Sequence, residues 1–369
     1  MNSVGLYVHI PFCYSKCYYC SFNSYPIRDF QKDFLEKYFK KLILQLEFYS
    51  KFNFSLKSIY IGGGTPSIVN PIFIENIFNE IFKRYKVVNN CEITIEVNPK
   101  TFSIDKLKTY KSFGINRISV GIQSFIDKFL KILGRPYSSY EAVKSLEIVS
   151  NYFENINIDL IFGIPFQSLK DIEKEFLFLK RFPVKHVSYY CLSIEEDTEF
   201  FKKGYKEISD DIFSKMYDLI IEKLNELRFS QYEISNFSKK NYFCRHNLNY
   251  WNYGEYIGVG AGAVSFFNRI RTKNFSNPKI YVKKEPNEYE ERECINLSKQ
   301  KFEYIMLNLR KVEGINLHDY KKRFNSDFFK EFNEVLKKFK DFFEIKKDNV
   351  NLNIEGFKVS NLILSEFLK

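Results

Sequence analysis

Three cysteines crowd into eight residues as Cys13-Tyr14-Ser15-Lys16-Cys17-Tyr18-Tyr19-Cys20, directly after the apolar run Leu6-Tyr7-Val8-His9-Ile10-Pro11-Phe12. Soft thiolates suit iron–sulfur clusters. Three of them can hold three corners of a cubane and leave the fourth iron open to a small molecule. A four-cysteine set makes an electron carrier; three make a reaction site. The competing readings are a zinc site, which usually wants a fourth Cys or His nearby, and three cysteines that only pack.

Other residues with chemical potential are scattered further along. In Gly62-Gly63-Gly64-Thr65-Pro66 the missing Cβ atoms let backbone N–H and C=O groups approach a ligand, although a tight turn would use the same glycines. Glu96 sits in an otherwise apolar run, where a carboxylate must meet a cation or several donors. Gln123, Arg135 and Asp159 pose the same question, and the Arg135 guanidinium can take a ligand carboxylate bidentately. An internal ion pair is the plain alternative for each. Together they outline a polar pocket.

The elements that must position these residues read as α/β. β-rich runs at 4–10, 58–61, 92–97, 117–121, 157–162 and 186–190 alternate with amphipathic segments at 33–48, 72–85, 104–113, 138–152 and 169–182. That alternation predicts a parallel sheet with right-handed crossovers. Six units fall short of the eight of a closed barrel, so the expected form is an open (β/α)6 three-quarter barrel of the TIM type. The unusual residues all follow or end its strands, and such folds bind ligands at the C-terminal ends of parallel strands.

From about residue 210 the pattern changes. A long helix at 211–227 and a β-like 231–234 lead into a loop rich in Asn and aromatics through Tyr256, then the run Gly258-Val259-Gly260-Ala261-Gly262-Ala263. Helices at 300–309, 316–323 and 328–339 and a short hairpin ending in 360–368 read as a small helical, winged-helix-like C-terminal domain. The expected division is 1–235 for the barrel, 236–285 for a connecting segment and 286–369 for the C-terminal domain.

Of the 369 residues 45% are hydrophobic, enough for a sizeable core, yet Lys, Asn or Glu interrupts every apolar run before it reaches a membrane span. The first residues lack the pattern of a signal peptide, and the seven cysteines, three of them clustered, suit metal binding in a reducing compartment. The cytosol is the expected location. The net charge of +11 is spread along a chain with 40 Phe and 26 Tyr, so the excess Lys reads as solvated faces and no nucleic-acid partner is expected.

The cysteine triplet, with the strand-end residues behind it, resembles the radical S-adenosylmethionine (SAM) superfamily. There SAM chelates the open iron of a [4Fe–4S] cluster, and one electron splits it into methionine and a 5'-deoxyadenosyl radical. Over nearly its whole length the chain resembles the HemN/HemW branch, and within it the HemW-type haem chaperones. That resemblance implies Cys13, Cys17 and Cys20 as cluster ligands and Tyr7, Gly63, Gly64, Thr65, Glu96, Gln123, Arg135 and Asp159 as SAM contacts, with Tyr19 against the adenine.

Two features separate the branches. Coproporphyrinogen dehydrogenases of the HemN type carry a further Cys two positions after the third ligand, where this chain has Phe22, and an N-terminal extension ahead of the first strand. HemW-type proteins carry HNxxYW, present here as His246-Asn247-Leu248-Asn249-Tyr250-Trp251. The resemblance ties that motif to haem. An imidazole or the thiolate of Cys244 can ligate haem iron, Tyr250 and Trp251 offer flat faces to a porphyrin, and Arg245 can meet a propionate. A loop anchored by aromatics, with His246 bonded to backbone, is the plain alternative.

The implied function is a haem chaperone that holds the cluster and SAM, binds haem and passes it to acceptor proteins, free or membrane-associated, with an electron donor for the cluster. Oxygen-independent decarboxylation of coproporphyrinogen III is the alternative. The chain departs from the family pattern at Ser21, Pro136 and Val264, where Asp, His and His are frequent. Cys91, Cys191 and Cys294, isolated in sequence, read as structural.

Overall fold

Alternation with a period of two sets the sheet. In β1 (Ser3–Ile10) Val4, Leu6, Val8 and Ile10 are fully buried on one face, which turns Gly5, Tyr7 and His9 to the other. The same alternation runs through β2 (Ser55–Gly63), β3 (Lys86–Val97), β4 (Arg117–Gln123), β5 (Asn155–Phe162) and β6 (His186–Cys191). Ile59 and Ile61, Ile93 and Ile95, Ile118 and Val120, and Ile156 and Ile158 lie on the helix-covered face. The opposite face carries Ser58 and Tyr60, Thr94 and Glu96, Arg117 and Ser119, Asn157 and Asp159, and His186 and Ser188. A parallel sheet covered on both faces ordinarily reads as continuous apolar runs. Here one face is mainly polar, so the inside of the curved sheet is largely a hydrogen-bonding surface.

In the computed structural model, which describes residues 3–368, β1 to β6 are parallel neighbours in chain order. The helices on the apolar face are α1 (Lys32–Ser50), α2 (Pro71–Arg84), α3 (Ile104–Ser112), α5 (Ser139–Ser150) and α6 (Leu169–Leu179), while α4 (Asp127–Leu133) puts Phe129 and Leu133 into a separate cluster with Ile161, Ile164, Leu192 and Phe200. Two of them start on capping boxes, Ser138 with Glu141 and Ser168 with Asp171. Helix α7 (Asp210–Glu226) packs beside α6. It leads into β7 (Ser230–Glu233) and β8 (Asn236–Ser238), and β8 pairs antiparallel with β6.

The chain then crosses to the opposite edge of the sheet. A short helix, α8 (Arg245–Trp251), precedes β9 (Tyr256–Val259), which pairs parallel with β1, and β10 (Val264–Phe267), β11 (Ile270–Lys273) and β12 (Glu291–Cys294) continue antiparallel from it. The full order is β12-β11-β10-β9-β1-β2-β3-β4-β5-β6-β8-β7, an open barrel in which the six expected parallel strands are joined by a seventh at the β1 edge. The seventh lies in the glycine-rich run. Its Gly258 is demanded by packing, since a Cβ there would stand 2.1 Å from the Val264 carbonyl oxygen.

The C-terminal residues form α9 (Leu297–Asn308), α10 (Leu317–Phe324) and α11 (Phe328–Lys338), with a three-stranded sheet of β13 (Ile315–Asn316), β14 (Phe343–Ile345) and β15 (Asn349–Leu352) in the order β13-β15-β14. The hairpin is therefore 343–352. The last segment is helical over Ser360–Ser365, where Ile363 and Leu364 fall on the buried face of a turn. Among the described residues no helix is long and apolar enough to cross a membrane.

Candidate functional site

The loop between β1 and α1 carries the three cysteines to the C-terminal mouth of the barrel. Backbone bonds hold it there: Tyr18 N–H donates to the Leu133 carbonyl at 3.1 Å, Tyr25 N–H to Pro11 at 2.7 Å, and Thr65 N–H to Phe12 at 2.8 Å. Gly64 lies so close under the loop that a Cβ would meet the Phe12 carbonyl oxygen at 2.6 Å. The glycine triplet is thus a close approach of backbone to backbone as well as a wall of the site.

All three thiols are free, with Cys13 buried and Cys17 and Cys20 half-buried, and all three line one cavity of about 330 Å³. Burial pushes the Cys13 thiol up to about 11 and the Cys20 thiol upward as well. Iron binding would reverse this, because a coordinating thiol is deprotonated outright. Among the described residues no three His, Cys, Asp or Glu side chains gather around a point where one metal ion would sit. A cubane asks for less convergence, since each thiolate binds a different iron. The donor set, three soft thiols on one cavity wall, fits that group.

Twelve of the sixteen residues singled out from sequence line this cavity: Cys13, Cys17, Cys20, Tyr19, Gly63, Gly64, Thr65, Glu96, Gln123, Arg135, Asp159 and Asn247. Glu96 is held by Tyr60 OH at 2.8 Å and the Gly63 N–H at 3.1 Å. Burial first, then the Asp159 carboxylate, raise it to about 7. Asp159 takes bonds from Ser119 Oγ at 3.0 Å and Asn157 Nδ2 at 2.8 Å, and burial raises it too. Two half-buried carboxyls therefore share one pocket and are ready for a cationic or hydroxyl-rich ligand.

Arg135 spans the cavity. Its guanidinium donates to Cys17 Sγ at 3.2 Å, Tyr137 OH at 2.8 Å, the Gly121 carbonyl at 3.1 Å and Asn98 Oδ1. Asn98 in turn donates to Thr65 Oγ1 at 2.8 Å. Gln123, at the end of β4, adopts a left-handed φ of +66° beside a register shift, which turns the chain at the cavity edge. Tyr60, Asn98, Ser119, Tyr137 and Asn157 join the site without belonging to any of the sequence motifs. Polar residues recurring every second position of apolar strands were the sign that could have found three of them.

The other four residues lie elsewhere. Tyr7 and Tyr250 line a second cavity of about 600 Å³, which meets the first at Phe22, Gly63 and Glu96. His246 and Trp251 line neither. Helix α8 closes the barrel floor, with the Glu92 carboxylate accepting the backbone N–H groups of Arg245 and His246, each at 3.0 Å. His246 is 1% exposed, and both ring nitrogens are engaged, Nδ1 with Ser58 Oγ and Nε2 with Tyr250 OH, each at 2.9 Å. Burial lowers it to about 3, so it is a neutral imidazole inside the fold. Cys244 is fully buried and donates to Glu92 at 3.5 Å, and Trp251 stacks near Arg310. The structure does not present His246, Cys244 or Trp251 to an open cavity.

A family model described as the radical SAM superfamily matches residues 7–179, and one described as the HemN C-terminal domain matches residues 295–353. A heme chaperone HemW of Buchnera aphidicola is 35% identical over 99% of this chain and 98% of its own. The Escherichia coli heme chaperone HemW is 32% identical over 84% of this chain and 83% of its own. Coproporphyrinogen III oxidase (HemN) of Escherichia coli has the same fold, with a TM-score of 0.85 at 18% identity over 99% of this chain and 90% of that one.

Proposed function

Since the chain belongs to the HemW family of heme chaperones within the radical SAM superfamily, we propose that it binds haem and passes it to an acceptor protein. What carries the reading is likeness to those chaperones along the whole chain, barrel and C-terminal domain together. Membership of the superfamily implies a [4Fe–4S] cluster and SAM. When bound, they supply one-electron reductive cleavage of SAM.

The residues that would hold them are those of the first cavity. Cys13, Cys17 and Cys20 ligate the cluster. Arg135 places a positive charge against the Cys17 thiolate. Glu96 and Asp159 accept hydrogen bonds from the donor groups of SAM, while Gly63, Gly64 and Thr65 offer backbone and Gln123 an amide. Tyr19 closes the wall beside Arg135. The low-dielectric surroundings of both carboxyls strengthen each of these bonds. An electron donor for the cluster and a haem-accepting protein complete the set of partners.

The test loads the full chain anaerobically with cluster, SAM and haem, adds apomyoglobin, and follows haem transfer by absorption. A parallel sample receives coproporphyrinogen III and a reductant. Haem moving to the acceptor while coproporphyrinogen stays intact is the expected result. Decarboxylated porphyrinogen in the second sample would overturn the chaperone reading and make this a porphyrin-synthesis enzyme.

A further inference from the structure

The second cavity lies on the far side of Glu96 from the cysteines, between β1, the α8–β10 segment and α9 of the C-terminal domain. Its walls are aromatic. Tyr250 and Tyr256 meet edge to face at 4.6 Å between ring centroids, and Tyr253 packs on Phe266 at 4.9 Å. Met306 and Leu307 of α9 close the opposite side, and Phe22, 68% exposed, stands at the junction with the first cavity. At one end Arg271 makes a bidentate pair with Glu303, at 2.6 and 2.7 Å, and its guanidinium lies over the Phe266 ring.

A volume of about 600 Å³ lies within the range of small-molecule sites. A guest for such a space must be large, flat and mostly apolar; Arg271, though its charge is balanced by Glu303, keeps N–H donors beyond those two bonds for a polar edge. Resting on the haem-chaperone reading, we propose that this cavity is the haem site and that His246 serves it as a positioning residue, not as the iron ligand. The imidazole lies behind the wall. Its Nε2 fixes the Tyr250 hydroxyl and its Nδ1 is anchored to Ser58 on β2, so the ring that borders the cavity is held from the barrel core. A histidine committed at both nitrogens has no lone pair free for iron without breaking the floor of the fold.

Three variants of the full chain, titrated with ferric haem and read by absorption and electron paramagnetic resonance, test this. Val264 is a half-buried wall residue, so Val264→His should place an imidazole in the cavity and give bound haem a new nitrogen-ligated spectrum. Met306→Trp, at a half-buried position on α9, should fill the space and weaken haem binding about tenfold or more. His246→Gln should weaken binding yet leave the ligand spectrum of the bound iron unchanged.

Loss of a nitrogen-ligand spectrum in His246→Gln would make that residue the axial ligand and overturn the positioning role. Native affinity and spectrum in both Val264→His and Met306→Trp would overturn the cavity assignment while leaving the chaperone reading in place. Failure of the native chain to bind haem at all would remove that reading and the inference with it.

Discussion

Arg135 donates an N–H to the sulfur of Cys17 at 3.2 Å, from the loop after α4 to the loop after β1. Burial disfavours a bare guanidinium, but Tyr137, Asn98 and the Gly121 carbonyl all hold it in the charged form. A fixed cation beside a cluster thiolate favours the reduced, more negative cluster. At about 5 Å and an effective dielectric near 20, one charge is worth about 3 kcal/mol before it is shared over the cluster. In Arg135→Gln the cluster should remain but its reduction potential should fall by tens of millivolts, read in an anaerobic redox titration. An unmoved potential would leave Arg135 as a contact for SAM alone.

Gly121 owes its identity to that arginine network. A Cβ at this position would stand 2.4 Å from Asn98 Oδ1, the oxygen that accepts from Arg135, and 3.0 Å from Gln123 Nε2. Gly121→Ala should therefore push Asn98 away, cost about 1–3 kcal/mol in urea unfolding, and weaken SAM binding in equilibrium dialysis. Native SAM affinity in this variant would show that Asn98 and Arg135 can shift without disturbing the pocket.

The sequence displays some of this plainly and hides the rest for physical reasons. Six strands and the residues at their ends are readable because each strand pairs an apolar stripe with a turn or a glycine. Strand β9 is not, because Gly258 and Gly260 look like loop residues until the backbone packed against them is visible. Helix α4 is too short to show a period, and its end at Gly134 in the left-handed region is a single residue. His246, with aromatics on either side, looks like a ligand. Only three-dimensional pairing reveals that Ser58, nearly two hundred residues away, and Tyr250 consume both nitrogens. The sharing of sixteen candidate residues between two cavities and a buried floor is likewise a property of the curved sheet.

Glu92 holds that floor in place. Its carboxylate caps the first turn of α8 through two backbone N–H groups and lies beside the buried Arg117. Hydrogen bonds to a charged group contribute about 1.5–3 kcal/mol each. Glu92→Gln should retain one good acceptor and lose the charge, costing about 2 kcal/mol by denaturant titration. Glu92 lies four residues before Glu96 on β3, roughly 13 Å away along the strand. The variant should therefore reconstitute its iron–sulfur absorption normally; failure to do so would tie the floor to the cysteine loop.

Glu175 gives the fold a dependence on pH. It is buried on α6 and accepts from Ser124 Oγ and from the Phe125 N–H, the latter at 2.7 Å, which ties the loop after β4 to the helix. Burial raises it from 4.5 to about 7, against the opposing pull of those two bonds. The native state thus keeps a proton that the unfolded chain releases between these values. Its stabilising contribution is fully present below pH 4.5 and is lost as pH rises through 7. At 1.36 kcal/mol per unit the shift is worth about 3 kcal/mol in full, of which about 2–3 kcal/mol falls between pH 5 and pH 8. Glu96 and Glu233 are raised to about 7 in the same way, so the native protein's slope contains all three. Urea unfolding of Glu175→Gln at both pH values isolates one of them. The variant should lose about 2–3 kcal/mol less than the native chain between pH 5 and pH 8, and an equal loss in the two proteins would mean that Glu175 is ionised in the folded state throughout.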